Sequence, residues 1–190
     1  GGAAAAPVDI DQWRHYHDYV EKVWMLKEHL LRHLMLVDKD EGLRLFIGMF
    51  DDATSNYRYT PRLEWIGLVE AQAGKLSSAQ ISQVLIRKAK ALLDNGRFTE
   101  ASRILKGIPA ANLNPEQQVD AHIQQANILV RQGDLDGGIR SFKKAVKASK
   151  KNKLPRWLVK AENGLGWAYR LTADLDSALQ HYEIAIGLYI

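Results

Sequence analysis

A pattern of small and large residues recurs three times along the chain and constrains the fold more than any other feature. Each copy has a short polar turn, a small residue shortly after it, and a large residue four positions further on. The turns contain Gly96, Gly133 and Ala173, so successive turns are 37 and 40 residues apart. A period of this length is typical of solenoids, in which one unit of paired elements is stacked repeatedly.

The paired elements are predicted to be helices. Apolar residues recur at steps of three and four along most of the chain, whereas no strand-like alternation of useful length occurs. The first run extends to about Val37, and Asp38 or Asp40 begins the next helix. Asn95-Gly96 and Asn114-Pro115 are helix stop and start signals. We therefore predict an all-α fold.

The spacing of small and large residues has a packing explanation. A small residue on each helix of a pair lets the two backbones approach closely, and the large residue four positions later fills the space beside it. A short turn makes the two helices antiparallel, and each pair leaves an apolar face for the next pair to cover.

The last two copies resemble the tetratricopeptide repeat, whose motif has Leu-Gly, an aromatic residue, a Gly-Asp turn, Ala, an aromatic residue and Ala. The resemblance covers roughly residues 80–190 and implies a right-handed α-solenoid of antiparallel helix pairs that binds proteins. The spacing exceeds the family's 34 residues, and the characteristic Pro is missing or displaced, which predicts longer helices or longer loops between repeats. The matching residues are Gly133-Asp134-Leu135, Phe142, Ala145, Leu165-Gly166, Tyr169, Ala178, Tyr182 and Ala185.

With those departures, the repeats resemble those in the helical-repeat sensor arms of bacterial STAND-type regulatory ATPases. Residues 33–46 resemble, more loosely, the segment that enters such an arm. This implies a fragment of a larger regulatory protein with a role in signal transduction. We divide the chain into a tag or linker at 1–8, a helical segment at 9–76 that caps the solenoid, and about three repeats at 77–190, truncated at the C-terminus. The capping segment is expected to bury Trp13, Trp24, Phe46 and Trp65.

In the tetratricopeptide family, fixed positions on the first helix of each pair line a concave groove. Their counterparts here combine cations, amides and an indole, which suit an extended or helical peptide with an acidic residue. The peptide could belong to another protein or to another domain of the same parent chain. Each residue could instead be ordinary surface, and Trp167 could equally be core. The groove residues are Lys90, Asn127, Arg131, Lys160, Asn163, Trp167 and Arg170.

A basic stripe supports an alternative function. Nine of the 26 Lys and Arg residues lie between Gly137 and Ala161, a segment without Asp or Glu. Such a stripe can attract nucleic acid or another anionic surface, although most charge runs are solvated helix faces. Little aromatic interleaving is available for base stacking, and the stripe falls mostly on a second, convex helix. Its central residues are Lys143, Lys144, Lys147, Lys150 and Lys151.

Other kinds of site have little support. The chain has no Cys, which excludes disulfides, thiolate zinc sites and cysteine nucleophiles. His29 and His33 have zinc-like spacing without a third ligand. No phosphate-binding loop or Ser, His and acid grouping is evident. We therefore predict no catalytic residues, metal or cofactor. Short apolar runs and the lack of a leader predict a cytoplasmic protein without a membrane partner.

The end of the chain is strongly apolar, with Ile184, Ile186, Leu188, Tyr189 and Ile190 in the last seven positions. A solenoid needs a polar terminal face to stay soluble. We therefore expect further repeats in the natural protein, and in this chain a homodimer through the exposed last helix.

Overall fold

Residues 10–59 and 61–188 are described by a computed structural model, and their regular structure is helical throughout. Short 3-10 turns at Ala73–Lys75 and Ala110–Asn112 precede α4 and α6. The prediction of an all-α solenoid is confirmed, whereas the expected tag or linker lies outside the described residues. The α-helices are α1 (Ile10–Val37), α2 (Lys39–Ser55), α3 (Pro61–Glu70), α4 (Ser78–Asp94), α5 (Phe98–Gly107), α6 (Pro115–Arg131), α7 (Leu135–Lys151), α8 (Pro155–Leu171) and α9 (Leu175–Gly187).

Helix starts follow the capping residues of the sequence. The Asp38 side chain accepts a hydrogen bond from the Glu41 backbone N–H at 3.1 Å at the start of α2. Ser77 and Asn114 form reciprocal capping boxes with Gln80 and Gln117. Each cap satisfies backbone N–H groups that have no partner within the helix. Local sequence therefore determines where these helices begin.

The repeats stack as pairs. The pairs are α4–α5, α6–α7 and α8–α9, and the first helices also touch one another, α4 with α6 and α6 with α8. Helices α6, α7 and α8 each have 17 residues, and α8 begins 40 residues after α6. The additional length of this repeat therefore lies in its helices.

Glycines permit the close approach of paired helices. A Cβ atom on Gly138 would lie 2.3 Å from Cγ2 of Val130, and one on Gly166 would lie 2.9 Å from the ring of Tyr182. Both distances are too short for real Cβ contacts. The small positions of the repeat therefore bring α7 onto α6 and α8 onto α9, as the spacing predicted.

Helices α1, α2 and α3 form a separate hydrophobic cluster that adjoins α4. Phe46 and Trp65 are buried there, and Trp24 stacks on Trp65 with ring centroids 5.2 Å apart. The side chain of Trp13 lies outside the described part of the structure. The predicted burial therefore agrees with the structure for Phe46 and Trp65, whereas Trp24 is only partly buried against the cluster. The assigned domain boundaries stay a prediction.

Candidate peptide-binding groove

The stacked first helices enclose a concave groove of about 700 Å³. Its lining residues come from α2, from α4, from α6 with its capping residue, and from α8. Helices α5, α7 and α9 contribute none of them. The second helix of each pair is thereby placed on the outer side, and the groove crosses three successive repeats and the segment before them.

The structure brings together five of the seven residues assigned to the groove by sequence. They are Lys90 from α4, Asn127 and Arg131 from α6, and Lys160 and Trp167 from α8. These side chains come from three helices, so only the tertiary fold places them together.

Asn163 and Arg170 lie outside this groove. Asn163 instead borders a separate hollow with Tyr182 and Ile186, and Arg170 is exposed. The equivalent of Asn163 one repeat earlier is Ile123, which does line the groove because α8 lies beside it. Among the described residues, no helix lies beside α8 on its far side in the way that α8 lies beside α6. Asn163 of α8 therefore has no neighbouring helix across from it to form a groove wall.

Partly buried charges of opposite sign lie on the floor of the groove, Lys90 and Asp120. Burial lowers the pKa of Lys90, and the negative charge of Asp120 only partly opposes this effect. Burial also raises the pKa of Asp120, although Gln124 donates a hydrogen bond of 2.9 Å to its carboxylate. Lys160 adds positive charge close to both groups. The environment at the floor therefore disfavours the charged forms of both Lys90 and Asp120.

The wall toward α2 is tied by ion pairs. Arg87 lies 3.1 Å from Asp51, and Arg62 lies 2.9 Å from Asp94. Among the described residues, by contrast, the ion pairs include none made by Lys90, Arg131 or Lys160. Of the four cations assigned to the groove by sequence, the three that line it thus form no ion pair of 4 Å or less within the described residues.

Two indoles give the groove apolar area. Lys160 Nζ lies 4.6 Å from the ring centroid of Trp157, which lines the groove beside it. Trp167 is half-buried and also packs against the cluster around Phe142 and Leu165. Both interpretations of Trp167 from sequence, as groove residue and as core residue, describe part of its environment.

Sequence reasoning missed the contribution of α2 and of Trp157. Phe50, Asp51 and Thr54 of α2 line the groove, although α2 precedes the recognised repeats. Only contacts between distant segments place α2 there. A signal for Trp157 was present, since the residue lies in the first turn of α8 just before the groove position Lys160.

The central residues of the basic stripe lie on α7, on the outer side. Lys143, Lys144, Lys147 and Lys151 are exposed. Lys150 differs from them because it pairs with the buried carboxylate of Glu162 at 3.2 Å, and Glu162 also contacts His181 Nδ1 at 2.8 Å. Lys143 Nζ also lies 5.6 Å from the ring centroid of Tyr169 on α8, so two of the five predicted stripe residues contact α8.

Metal-binding clusters and membrane-spanning helices are both absent from the described residues. No group of three or more His, Asp or Glu side chains is arranged to hold a metal ion there. None of the helices found in the described ranges combines the length and apolarity needed to cross a bilayer.

The family follows from the repeats. The tetratricopeptide repeat model matches residues 86–153 and again 123–190, which together are more than half of the chain. The chain belongs to the tetratricopeptide repeat family, whose members are generally non-catalytic scaffolds for protein interactions. The resemblance to a STAND-type sensor arm stays a prediction.

Two solved structures share this fold. A crystal structure of MamA is 11% identical over 98% of this chain and 96% of its own, with a TM-score of 0.57. The structure described as MamA 41-end from Desulfovibrio magneticus RS-1 is 16% identical over 87% of this chain and 94% of its own, with a TM-score of 0.55. No curated protein sequence matches the chain. At these identities the likeness concerns the fold.

Proposed function

We propose that this chain is a protein-interaction scaffold whose concave groove holds an extended or helical peptide segment with an acidic residue. The observation that carries the proposal is the convergence of Lys90, Arg131 and Lys160 in one groove with Asn127 and two indoles. The segment belongs to a partner protein or to another domain of the same parent chain, within a larger regulatory protein.

The chemistry of the floor supports an acidic ligand. Burial disfavours the charged ammonium of Lys90, and a ligand carboxylate beside it would supply a stabilising opposite charge. A charge-assisted hydrogen bond is about twice as strong as a neutral one. Binding weakens as the pH rises through the lowered pKa of Lys90, because the ammonium then loses its charge. Ionisation of Asp120 acts in the same direction by repelling the ligand.

The remaining groove residues fit the rest of a peptide. The side-chain amide of Asn127 can donate to and accept from a ligand backbone, since it carries both kinds of group. Trp157 and Trp167 offer flat apolar area for a ligand side chain, and aromatic residues of this kind dominate many interfaces. The groove thus combines backbone recognition with one acidic and one apolar contact.

The test uses short peptides selected from a displayed library against the whole chain. The tightest acidic binder is synthesised together with its counterpart in which Glu or Asp is replaced by the amide. We expect Lys160→Glu to weaken the acidic peptide about tenfold or more, since hydrogen bonds to charged groups contribute about 1.5–3 kcal/mol. The amide peptide is affected much less. Asp120→Asn tightens binding of the acidic peptide, because a repelling carboxylate is removed.

Lys147→Glu is the matched control. It makes the same charge change on the exposed face of α7, outside the groove. We expect little change in the affinity of the acidic peptide. An equal loss from Lys147→Glu and Lys160→Glu would contradict the proposal, as would an acidic peptide that binds no better than its amide.

The nucleic-acid alternative is distinguished by salt. Binding of an oligonucleotide through several lysines falls by orders of magnitude between low and moderate salt. Peptide binding in a partly apolar groove changes far less. A strongly salt-dependent oligonucleotide complex that is lost in Lys147→Glu would favour the alternative over the groove.

A further inference from the structure

The outer side of α7 carries a row of positive charges. Four exposed cations follow one another at spacings of four, three and four residues, which places them on one side of the helix. They are Arg140, Lys144, Lys147 and Lys151, and the exposed Lys143 occupies the same side. At 1.5 Å per residue the row is about 17 Å long. We call these five residues the basic face.

The packing of α7 does not require these cations. Phe142 and Ala145 are completely buried in the cluster that α7 forms with α6 and α8. Gly138 is buried as well, where α7 approaches α6. The residues that hold the helix in the solenoid are therefore distinct from those of the basic face.

The basic face has no close carboxylate of its own chain. In the part of the chain that the structure describes, the ion pairs of α7 are confined to Lys150, which contacts Glu162 of α8 at 3.2 Å. Asp136, in the first turn, is the single acid in the sequence of the helix. His122 of α6 supplies no negative charge, and burial together with the positive charge of Lys144 lowers its pKa. The charge of the basic face is thus left for solvent or for a ligand.

This arrangement differs from that of other surface cations in the chain. Several of those pair with an acid three or four residues away, namely Arg14 with Asp11, Arg32 with Glu28, Arg44 with Glu41 and Arg97 with Glu100. On α7 the same spacing joins cation to cation, in Arg140–Lys144, Lys143–Lys147 and Lys147–Lys151. Like charges at this spacing destabilise a helix, and the helix dipole favours only the cations of the last turn. An external anion would relieve this repulsion.

We propose that the basic face binds an acidic segment of a partner protein, whose carboxylates form a row that matches the row on α7. On a helical segment, acids spaced by four, three and four residues provide such a row. The surface is separate from the peptide groove, to which α7 contributes no lining residue. The proposal therefore does not depend on the function proposed for the groove.

The surroundings of α7 favour a narrow protein segment over a broader polyanion. The next outer helix, α9, exposes Asp176 and Glu183. A nucleic acid duplex or a lipid surface extends over several helices and meets these carboxylates, whereas a helix about 10–12 Å wide can lie along α7 alone.

The composition of the face agrees with this choice. Among the described residues, the exposed large apolar and aromatic side chains include none on α7. Base stacking and insertion into a membrane would use such side chains. Tyr169 lies below Lys143, but its ring is stacked on His181 with ring centroids 5.4 Å apart. The basic face thus offers charge alone.

The experiment compares two labelled peptides of identical composition. The probe is a rhodamine-labelled, helix-forming peptide of Ala and Gln with four Glu residues at spacings of four, three and four. This pattern reads the same in both directions, so it matches the basic face in either orientation. The comparison peptide has its four Glu residues distributed evenly around the helix. Measured by anisotropy with the whole chain, we expect saturable binding of the probe, about fivefold or more tighter than that of the comparison peptide.

Variants of the chain locate the binding surface. We expect Lys147→Glu to weaken the probe about fivefold or more, because one attraction becomes a repulsion. Lys160→Glu in the peptide groove should leave it unchanged. The two variants exchange the roles that they have in the test of the groove, so each proposal can fail without the other. Lys147→Gln should weaken the probe less, and the unfolding midpoint of the free chain should stay unchanged or rise, since like-charge contacts on α7 are removed.

Four results would overturn the proposal. The first is equal binding of the two peptides, and the second is binding of the probe that Lys147→Glu leaves unchanged. The third is a lower unfolding midpoint in Lys147→Gln, which would give Lys147 a role in the fold. The fourth is an oligonucleotide with four phosphates, or vesicles of phosphatidylserine, that bind more tightly than the probe and lose binding in Lys147→Glu.

Discussion

At the scale of single residues, the residue at one equivalent turn position adopts the left-handed backbone conformation in all three repeats. Gly96 has φ +75°, Gly133 has φ +86° and Ala173 has φ +60°. Glycine adopts this conformation without steric cost, whereas a residue with a Cβ atom is strained by about 1–2 kcal/mol. The last repeat therefore keeps the turn geometry with an unfavourable residue.

We expect Ala173→Gly to stabilise the chain. Relief of the strain exceeds the greater freedom that glycine gives the unfolded chain, which costs about 0.4–1 kcal/mol, so the net gain is about 0.5–1 kcal/mol. The reverse change, Gly133→Ala, is the control and by the same balance lowers stability by about 0.5–1 kcal/mol. Urea denaturation measures both. A loss of stability in Ala173→Gly would contradict this account, because it would show that contacts of the Ala173 methyl group stabilise the chain by more than the backbone strain destabilises it.

At the scale of helices, a buried arginine joins the N-terminal helices to the repeats. Arg62 of α3 is completely buried. It donates to Asp94 at the end of α4 at 2.9 Å and to Thr54 of α2 at 3.0 Å, and its guanidinium lies 4.5 Å from the ring centroid of Tyr59. Asp94 and Thr54 both line the peptide groove. Arg62 thereby holds one wall of the groove without facing it.

We expect Arg62→Met to lower the free energy of unfolding by about 2–4 kcal/mol, because breaking a buried ion pair leaves the partner uncompensated. This loss is smaller than that expected for a fully buried ion pair, because the side chain of Asp94 is 22% exposed and solvent weakens the interaction. Thermal or urea denaturation measures the loss.

Arg32→Met is the matched control for this substitution. Arg32 pairs with Glu28 at 2.7 Å on the surface of α1, and its side chain is 53% exposed. Surface pairs of this kind contribute little, so the unfolding midpoint should barely move. Similar losses in the two variants would mean that the Arg62 contacts do not link α3 to α4 and α2.

The extent to which sequence predicts these elements follows from the range of the interactions involved. The cap at Asp38 and the turn at Gly133 depend on neighbours in the chain, and the helices begin and end near the predicted positions. The bond from Arg62 to Asp94 joins residues 32 positions apart. The repeat pattern predicted the inward face of α4, α6 and α8, but it carried no information on α2, which lies before the first copy.

At the scale of the whole molecule, the solenoid has two faces of different chemistry. The concave face combines partly buried charges of both signs with Trp157 and Trp167, and the outer face of α7 carries exposed lysines. The asymmetry arises from the fold, because α4, α6 and α8 turn inward and α7 turns outward. A ligand of a given chemistry should therefore bind predominantly to one face.

The most direct test of the central claim is residue-resolved mapping of that face. Backbone amide chemical shifts of the whole chain are recorded during titration with the selected acidic peptide. The account predicts that the largest changes cluster on α4, α6 and α8 around Lys90, Asn127 and Lys160, with α7 nearly unaffected. Changes concentrated at Lys143, Lys144 and Lys147, or spread over the surface without a cluster, would contradict it.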